Sequence, residues 1–330
     1  SRWSLGVKNY TDCIYYPWEL AYTSSLLKQQ FPKHNITMVD GILNRQNNDA
    51  YFKTISELKP DIMIMEPSAR TYLEDTLLSK KIKEVHNAKI IFGGGLAAAA
   101  PEILSQTADY LCMGEYENTI IALIESDFNS KKLKGVYPNG YNDLVDINCL
   151  PFSEDTDISR NKYFEPNCEY KEIQFYTSRG CPMRCAFCVC GNLYYKKPNW
   201  RSRTAESIIE EIKYLKNKYP EIEGLFFDKE VHNIKKNFIL KLTAAINRNF
   251  HDSLKIDAMC EYYPLDEEIM DNMKKTGYYK LRIGIETASE IIADRMNLKS
   301  KFNISKLYKT LEYAKKIGLK MYGTFTIGGL

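Results

Sequence analysis

Short apolar runs alternate with helix-like stretches along almost the whole chain, and this alternation limits the possible folds more than any other feature. In the first half the β-rich runs are residues 36–39, 61–65, 89–92 and 109–113, and helix-like segments lie near 20–30, 49–58, 71–85 and 101–105. Runs such as IMIM, and the IIF of KIIF, are continuously apolar, as parallel strands covered on both faces are. The second half repeats the pattern. Its β-like runs at 172–177, 223–231, 255–263, 280–289 and 320–329 are separated by helical segments at 204–218, 237–249, 266–275 and 304–317, the first of them opened by Thr204 as N-cap. Between the halves, residues 131–167 break into Gly, Pro, Asn and Asp, which is turn chemistry. The expected fold is α/β. It comprises an N-terminal doubly wound, Rossmann-like parallel sheet over residues 1–130, a linker over 131–167, and a second set of βα units over 168–330.

Composition narrows the function. A net charge of +3, with acidic and basic residues interspersed, demands neither nucleic acid nor an anionic membrane as partner. No apolar run reaches the roughly 18–20 residues of a membrane span, and the opening residues lack the order of a signal peptide. The nine cysteines are an odd number, and Cys181, Cys185, Cys188 and Cys190 fall within ten residues. A disulfide framework would spread an even set through a small secreted chain, so a reducing, cytoplasmic setting is expected. There, clustered cysteines serve metals or catalysis.

The cluster lies in IQFYTSRGCPMRCAFCVCGN, where Cys181, Cys185 and Cys188 have C-x3-C-x2-C spacing. Thiolates so close in sequence can wrap around one metal centre. Three ligands on a four-iron cluster leave one iron open, as a reacting centre needs. A zinc loop with Cys190 as fourth ligand is the alternative, although no second C-x2–4-C pair follows.

In open α/β sheets ligands sit beyond the strand carboxyl ends. In the first half this places Tyr16, Trp18, Ser68, Gly93, Gly94, Gly95, Gly114, Glu115 and Tyr116 at a candidate binding edge. Gly93, Gly94 and Gly95 admit close approach of a bulky ligand, or simply a tight strand-to-helix turn. They do not form the G-x-G-x-x-G dinucleotide fingerprint.

Arg179, Gly180, the three cysteines and Phe187 together read R-G-C-x-x-x-C-x-F-C, which resembles the signature of radical S-adenosylmethionine (SAM) enzymes. The resemblance implies a 4Fe-4S cluster on Cys181, Cys185 and Cys188, with SAM on the open iron. It also implies a partial (β/α) barrel. Five strands of the family's six are counted here, so the barrel is expected to be incomplete at the C-terminal end. Phe187 is carried over as the aromatic residue near the SAM adenine. FFDKE makes Asp228 and Glu230 candidates for the methionyl amino group, or members of a solvated acidic loop. IGIETAS resembles a SAM-contacting motif and nominates Glu286, Thr287 and Ser289, with Ala288 where the family has glycine. GTFTIGG nominates Gly328 and Gly329 as strand glycines passing the adenine, or a barrel bend. Cys260, read as facing the same end as Glu261, is either a hydrogen donor to a substrate radical or a buried packing residue.

The first half resembles the cobalamin-binding domain found in front of many such enzymes, through YYPWELAYTSSLL, ITMVDGI, KPDIMIMEPS, AKIIFGGGLAAAAPE and ADYLCMGEYENTI. The family's D-x-H-x-x-G string is missing, and none of the four histidines stands in that context. The resemblance is therefore to the subgroup without a histidine ligand to cobalt, or to a domain that keeps the fold without the cofactor. Together these likenesses imply a cobalamin-dependent radical SAM enzyme. The implied activity is a methyltransferase acting through a 5′-deoxyadenosyl radical on an unactivated carbon or similar centre of a small molecule or peptide. A reductant such as flavodoxin or ferredoxin is the implied protein partner. A radical SAM cyclase or rearrangement enzyme, and a structural or electron-transfer iron–sulfur protein, are the alternatives. A methylthiotransferase would need three further cysteines in front, whereas Cys13 and Cys112 stand alone.

Overall fold

The computed structural model describes residues 13–163, 165–251, 253–298 and 301–328. The chain divides into two compact units, Ser1–Tyr163 with Leu193–Lys196, and Phe164–Asn192 with Lys197–Leu330.

In the first unit β1 (Ile62–Met65), β2 (Lys89–Phe92) and β3 (Tyr110–Leu111) form a parallel sheet in that order. Side chains alternate across a strand, and both faces find cover. Met63, Met65, Ile90 and Phe92 pack with Ile55 and Ile82 of the helices Asn48–Leu58 and Tyr72–His86. Ile62, Ile64 and Ile91 pack the other way, with Leu27 of Trp18–Gln30 and Ile120 and Leu123 of Glu117–Glu125. Covering on both faces explains why these strands are apolar without alternation.

Two expectations need amending. Residues 36–39 join no ladder among the described residues, and the N–H of Met38 donates instead to the Asp157 carboxylate at 2.7 Å. Residues 131–163 are held within the first unit rather than standing apart as a linker. Polar anchors do this. Glu154 accepts from Ser24 Oγ (3.1 Å) and Lys28 Nζ (2.7 Å), and Glu115 accepts from the N–H of Val145 at 2.8 Å. The Lys28 ammonium and nearby N–H donors outweigh burial and hold Glu154 down at about 2.

In the second unit β4 (Glu172–Phe175), β5 (Gly224–Phe227), β6 (Lys255–Cys260), β7 (Tyr278–Glu286) and β8 (Lys320–Phe325) pair in parallel, in chain order across the sheet. The helices Ala205–Lys218, Lys236–Phe250, Glu267–Lys275 and Ile304–Lys316 intervene. Thr204 caps the first of them by accepting from the N–H of Ser207, and Asp266 caps the third through Ile269. One side of the strands, with Ile173, Phe175, Leu225, Phe227, Ile256, Ala258, Leu281 and Ile283, packs against Ile208, Ile212, Ile239, Leu242 and Ile269 from the helices.

The opposite side is charged and still dry. Asp257 is fully buried, 2.9 Å from Lys280 Nζ and 2.5 Å from Arg282 Nη2, and Arg282 also reaches Glu165 at 2.6 Å. Removing one member of a buried ion pair strands its partner at a cost of about 3–5 kcal/mol. Asp257→Ala should lose about that much stability in urea unfolding. A loss below about 1 kcal/mol would mean that this network is solvated.

Candidate active site

The three spaced cysteines lie on the loop after β4, in the second unit. Thr177, which follows β4, continues into a short antiparallel pair of Ser178–Arg179 with Arg201–Ser202. Gly180, at φ +87°, then turns the chain beside Asn199, leaving no room for a Cβ. Two hydrogen bonds from Asn192 Nδ2, to the carbonyls of Cys185 (2.8 Å) and Cys188 (2.9 Å), hold the loop closed. Its outer flank rests on the segment after β7. Ala186 N–H donates to the Met296 carbonyl, Asn297 Nδ2 donates to the Arg184 carbonyl at 2.6 Å, and Met183 and Cys185 pack with Ala293, Met296 and Leu298.

The thiols feel one another. Burial pushes Cys181 up to about 12, with smaller contributions from Glu261, Cys185 and Cys188. Hydrogen bonds from the Cys190 thiol and from the N–H groups of Cys190 and Gly191 draw Cys188 down to about 6, toward the thiolate that binds metals. Among the described residues, the group of three ligand atoms that closes to within 4.8 Å is Cys168, Glu172 and Asp257, not the loop cysteines. Three thiols on one loop, one of them drawn toward the thiolate, are a donor set that a multi-iron cluster takes. The Cys190 thiol, which hydrogen-bonds the Cys188 sulfur, also lies 4.0 Å from Glu230 Oε1.

Beside the loop, at the carboxyl ends of β6 and β7, stands a cation between two carboxylates. Lys301 Nζ lies 3.1 Å from Glu261 Oε1, 3.7 Å from Glu286 Oε1 and 3.3 Å from the Gly284 carbonyl. Burial disfavours the charge on Lys301, but Glu261, the Cys185 thiol and Glu286 outweigh it and raise its pKa. A Cβ on Gly284 would press on the Glu286 carboxylate and force it to shift. Glu286 itself is at φ +63°, which is costly for a non-glycine residue and is held by Thr326, whose Oγ1 donates to Glu286 Oε2 at 2.7 Å. Glu261 is 6% exposed, its Oε2 has no hydrogen-bond partner, and burial raises its pKa. An unsatisfied buried carboxylate oxygen beside a buried ammonium is a ready binding site for a zwitterion.

The structure sorts the nominated residues. Phe187 is 49% exposed next to Cys188. Glu230 accepts from the N–H of Gly180 at 3.2 Å, so it braces the cysteine loop, and the Asp228 N–H donates to Phe175. Ser289 caps the helix Glu290–Arg295, and Thr287 Oγ1 accepts from the Ser289 N–H at 3.1 Å, so both shape the turn after Glu286. Gly328 is open on its Cβ side, and Gly329 lies outside the described residues. Cys260 needs correcting. It sits in the apolar layer beneath the helices with Ile256 and Ile283, while Glu261, one residue on, faces the other way. Its thiol is a packing group, raised well above its usual pKa by burial. Lys301 was missed, because nothing in NLKSKFN marks a lysine that folds back onto two distant glutamates.

In the first unit, Tyr16 is also corrected. Its hydroxyl donates to the Glu154 carbonyl and its ring packs with Trp18, Tyr163 and the Arg160 guanidinium, an internal cluster. Ser68 opens the helix Tyr72–His86 through Thr71 Oγ1, 3.2 Å from its N–H. Gly95 begins the short helix Gly95–Ala99. The glycine turn is needed by the protein's own packing, since a Cβ at Gly93 would meet the Tyr116 ring at 2.7 Å and one at Gly94 would meet Glu66 at 3.0 Å. Gly114, at φ +73°, lies against the Tyr194 carbonyl.

Comparison with known proteins agrees with this geometry. The radical SAM superfamily profile matches residues 175–330. A methyltransferase of Pyrococcus horikoshii, PH0819, is 24% identical over 94% of this chain and 69% of its own length. The hopanoid C-3 methylase of Methylococcus capsulatus is 23% identical over 87% of this chain and 56% of its own. In fold, the chain is similar to the radical SAM methyltransferase TsrM of Kitasatospora setae, solved with cobalamin and a [4Fe-4S] cluster. The TM-score is 0.76 at 14% identity, over 97% of this chain and 68% of that one. With its cysteine loop and parallel sheet, the second unit is a radical SAM domain. Relatives that match both of its units carry the names of methyltransferases, as these two do, and of a cyclase, the anaerobic magnesium-protoporphyrin IX monomethyl ester cyclase of Rubrivivax gelatinosus, 21% identical over 89% of this chain and 56% of its own. No helix among the described residues is long and apolar enough to cross a membrane.

Proposed function

We propose that the chain is a cobalamin-dependent radical SAM methyltransferase, with a 4Fe-4S cluster on Cys181, Cys185 and Cys188 and with cobalamin held by the first unit. The observation that carries the reading is the buried Lys301–Glu261–Glu286 group against the cysteine loop. It supplies complementary charges for the amino-acid end of SAM where three thiols leave one metal position open. When bound, the cluster supplies the electron that splits SAM and cobalamin supplies a methyl carrier. Lys301 pairs with the α-carboxylate of SAM, and Glu261 Oε2 accepts from its α-ammonium. Glu286, held by Thr326, keeps Lys301 charged. The apolar residues Met183, Ala293, Met296 and Leu298 exclude water from the loop's flank. The first unit forms the cobalamin domain in this reading, and a partial barrel in the second carries the radical chemistry. A small molecule or peptide is the substrate, and a flavodoxin or ferredoxin the electron donor.

The test is anaerobic reconstitution of the full chain with iron, sulfide and hydroxocobalamin, followed by incubation with SAM and a reductant. The proposal expects turnover of SAM and retention of a corrinoid through gel filtration. A chain that cleaves SAM but retains no corrinoid would be a radical SAM enzyme of another kind. Because D-x-H-x-x-G is missing, the cob(II)alamin form is expected to show no superhyperfine splitting from a protein nitrogen in electron paramagnetic resonance. Such splitting would place a histidine on cobalt and contradict this part of the reading.

A further inference from the structure

The four residues Leu193–Lys196, which follow the cysteine loop, pack as part of the first unit. The Leu193 carbonyl accepts from the Tyr141 hydroxyl at 2.7 Å, the Lys196 ammonium lies 5.0 Å from the Tyr141 ring centroid, and the Tyr194 carbonyl lies against Gly114. This fixes Tyr194 at the carboxyl end of β3. Tyr116, whose ring fills the space beside Gly93, is at the same edge. Both rings are buried, 0% exposed for Tyr116 and 8% for Tyr194, and neither hydroxyl has a hydrogen-bond partner.

Their surroundings are acidic. Burial first, and then Glu66, Glu19 and Glu117, push the Tyr116 hydroxyl well above its usual pKa. Burial, Glu19, Glu117, Glu66 and Glu115 do the same to Tyr194. Both hydroxyls are therefore neutral, each able to donate and to accept. A buried hydroxyl left unsatisfied costs about 1–3 kcal/mol. Two at one edge, beside glycines that keep the backbone close, call for a ligand group that supplies both functions. An anionic group would satisfy the hydroxyls but meet four carboxylates. A primary amide accepts from a tyrosine O–H through its carbonyl and donates through its NH2, without net charge.

Given the reading of the first unit as a cobalamin site, we infer that Tyr116 and Tyr194 clamp the primary amides on the rim of the corrin ring. The pair selects amidated corrins over those bearing free carboxylates. A segment downstream of the cluster ligands thus completes the corrinoid site of the first unit.

The test titrates the cluster-loaded full chain with three corrinoids, following the visible spectrum. These are hydroxocobalamin, cobinamide, which keeps the amides but lacks the nucleotide tail, and cobyrinic acid, which carries carboxylates in their place. Cobinamide should bind within about tenfold of cobalamin, and cobyrinic acid at least about 100-fold more weakly, because like charges in a buried site cost several kcal/mol. Tyr194→Phe and Tyr116→Phe should each weaken cobalamin about tenfold, the loss of about one hydrogen bond, with iron content unchanged. Equal affinity for cobyrinic acid and cobinamide, or wild-type affinity in both Phe variants, would overturn the clamp while leaving the cobalamin reading intact. Failure of every corrinoid to bind would remove the cobalamin reading and the clamp with it.

Discussion

Cys185→Ala is expected to remove the iron–sulfur cluster and with it all SAM cleavage, a loss of activity to background, whereas Cys190→Ala keeps both. The two thiols are five residues apart, but the structure gives them different neighbours. Cys185 is buried on the loop, packed with Met296 and Leu298 and electrostatically coupled to Lys301 and Cys188. Cys190 opens the helical turn Cys190–Tyr194, where its thiol hydrogen-bonds the Cys188 sulfur and lies near Glu230. Iron and sulfide analysis, with visible absorption, separates the cases. Retained iron in Cys185→Ala would take Cys185 out of the ligand set, and equal loss in both variants would favour a four-thiolate site over a three-thiolate cluster.

The second large effect is expected at Lys301. Truncating one partner of a buried, hydrogen-bonded charge pair costs about 2–5 kcal/mol, or roughly 30- to 3000-fold in binding. Lys301→Met should therefore weaken SAM by an amount in that range while the cluster still forms, since Lys301 is not a ligand. Glu261→Gln, which can no longer attract the α-ammonium as an anion, should move affinity in the same direction. The measurement is SAM affinity by the change it causes in the reduced-cluster spectrum, beside iron content and a thermal melt. Unchanged SAM affinity in a folded, iron-loaded Lys301→Met would assign the lysine to the scaffold alone.

Local signals made much of this legible in the sequence. The cysteine spacing lies within eight residues, Thr204 announces its helix, and IMIM and KIIF announce strands covered on both sides. Glu286 was found through the resemblance of IGIETAS to a SAM-contacting motif. Distant pairing left no such mark. Lys301 belongs to the site only because the chain returns it to Glu261, 40 residues earlier. Cys260 had two readings, hydrogen donor or buried packing residue, and one step of strand alternation, which turns it away from Glu261, leaves the second. Tyr16 was placed at the candidate binding edge, but Arg160 and Glu154, more than 130 residues away, make it part of the core. Residues 131–163 read as a linker because they lack periodicity, and hydrogen bonds from side chains such as Glu154 and Glu115 fix them instead.

The central claim is that three thiolates of one loop hold a cluster with an open iron that takes SAM. It is tested most directly by electron paramagnetic resonance of the reduced, anaerobically reconstituted chain, with and without SAM, alongside metal analysis. The account predicts about four irons per chain and a signal that changes when SAM is added. A chain holding a single zinc, or a cluster whose spectrum is indifferent to SAM, would contradict it.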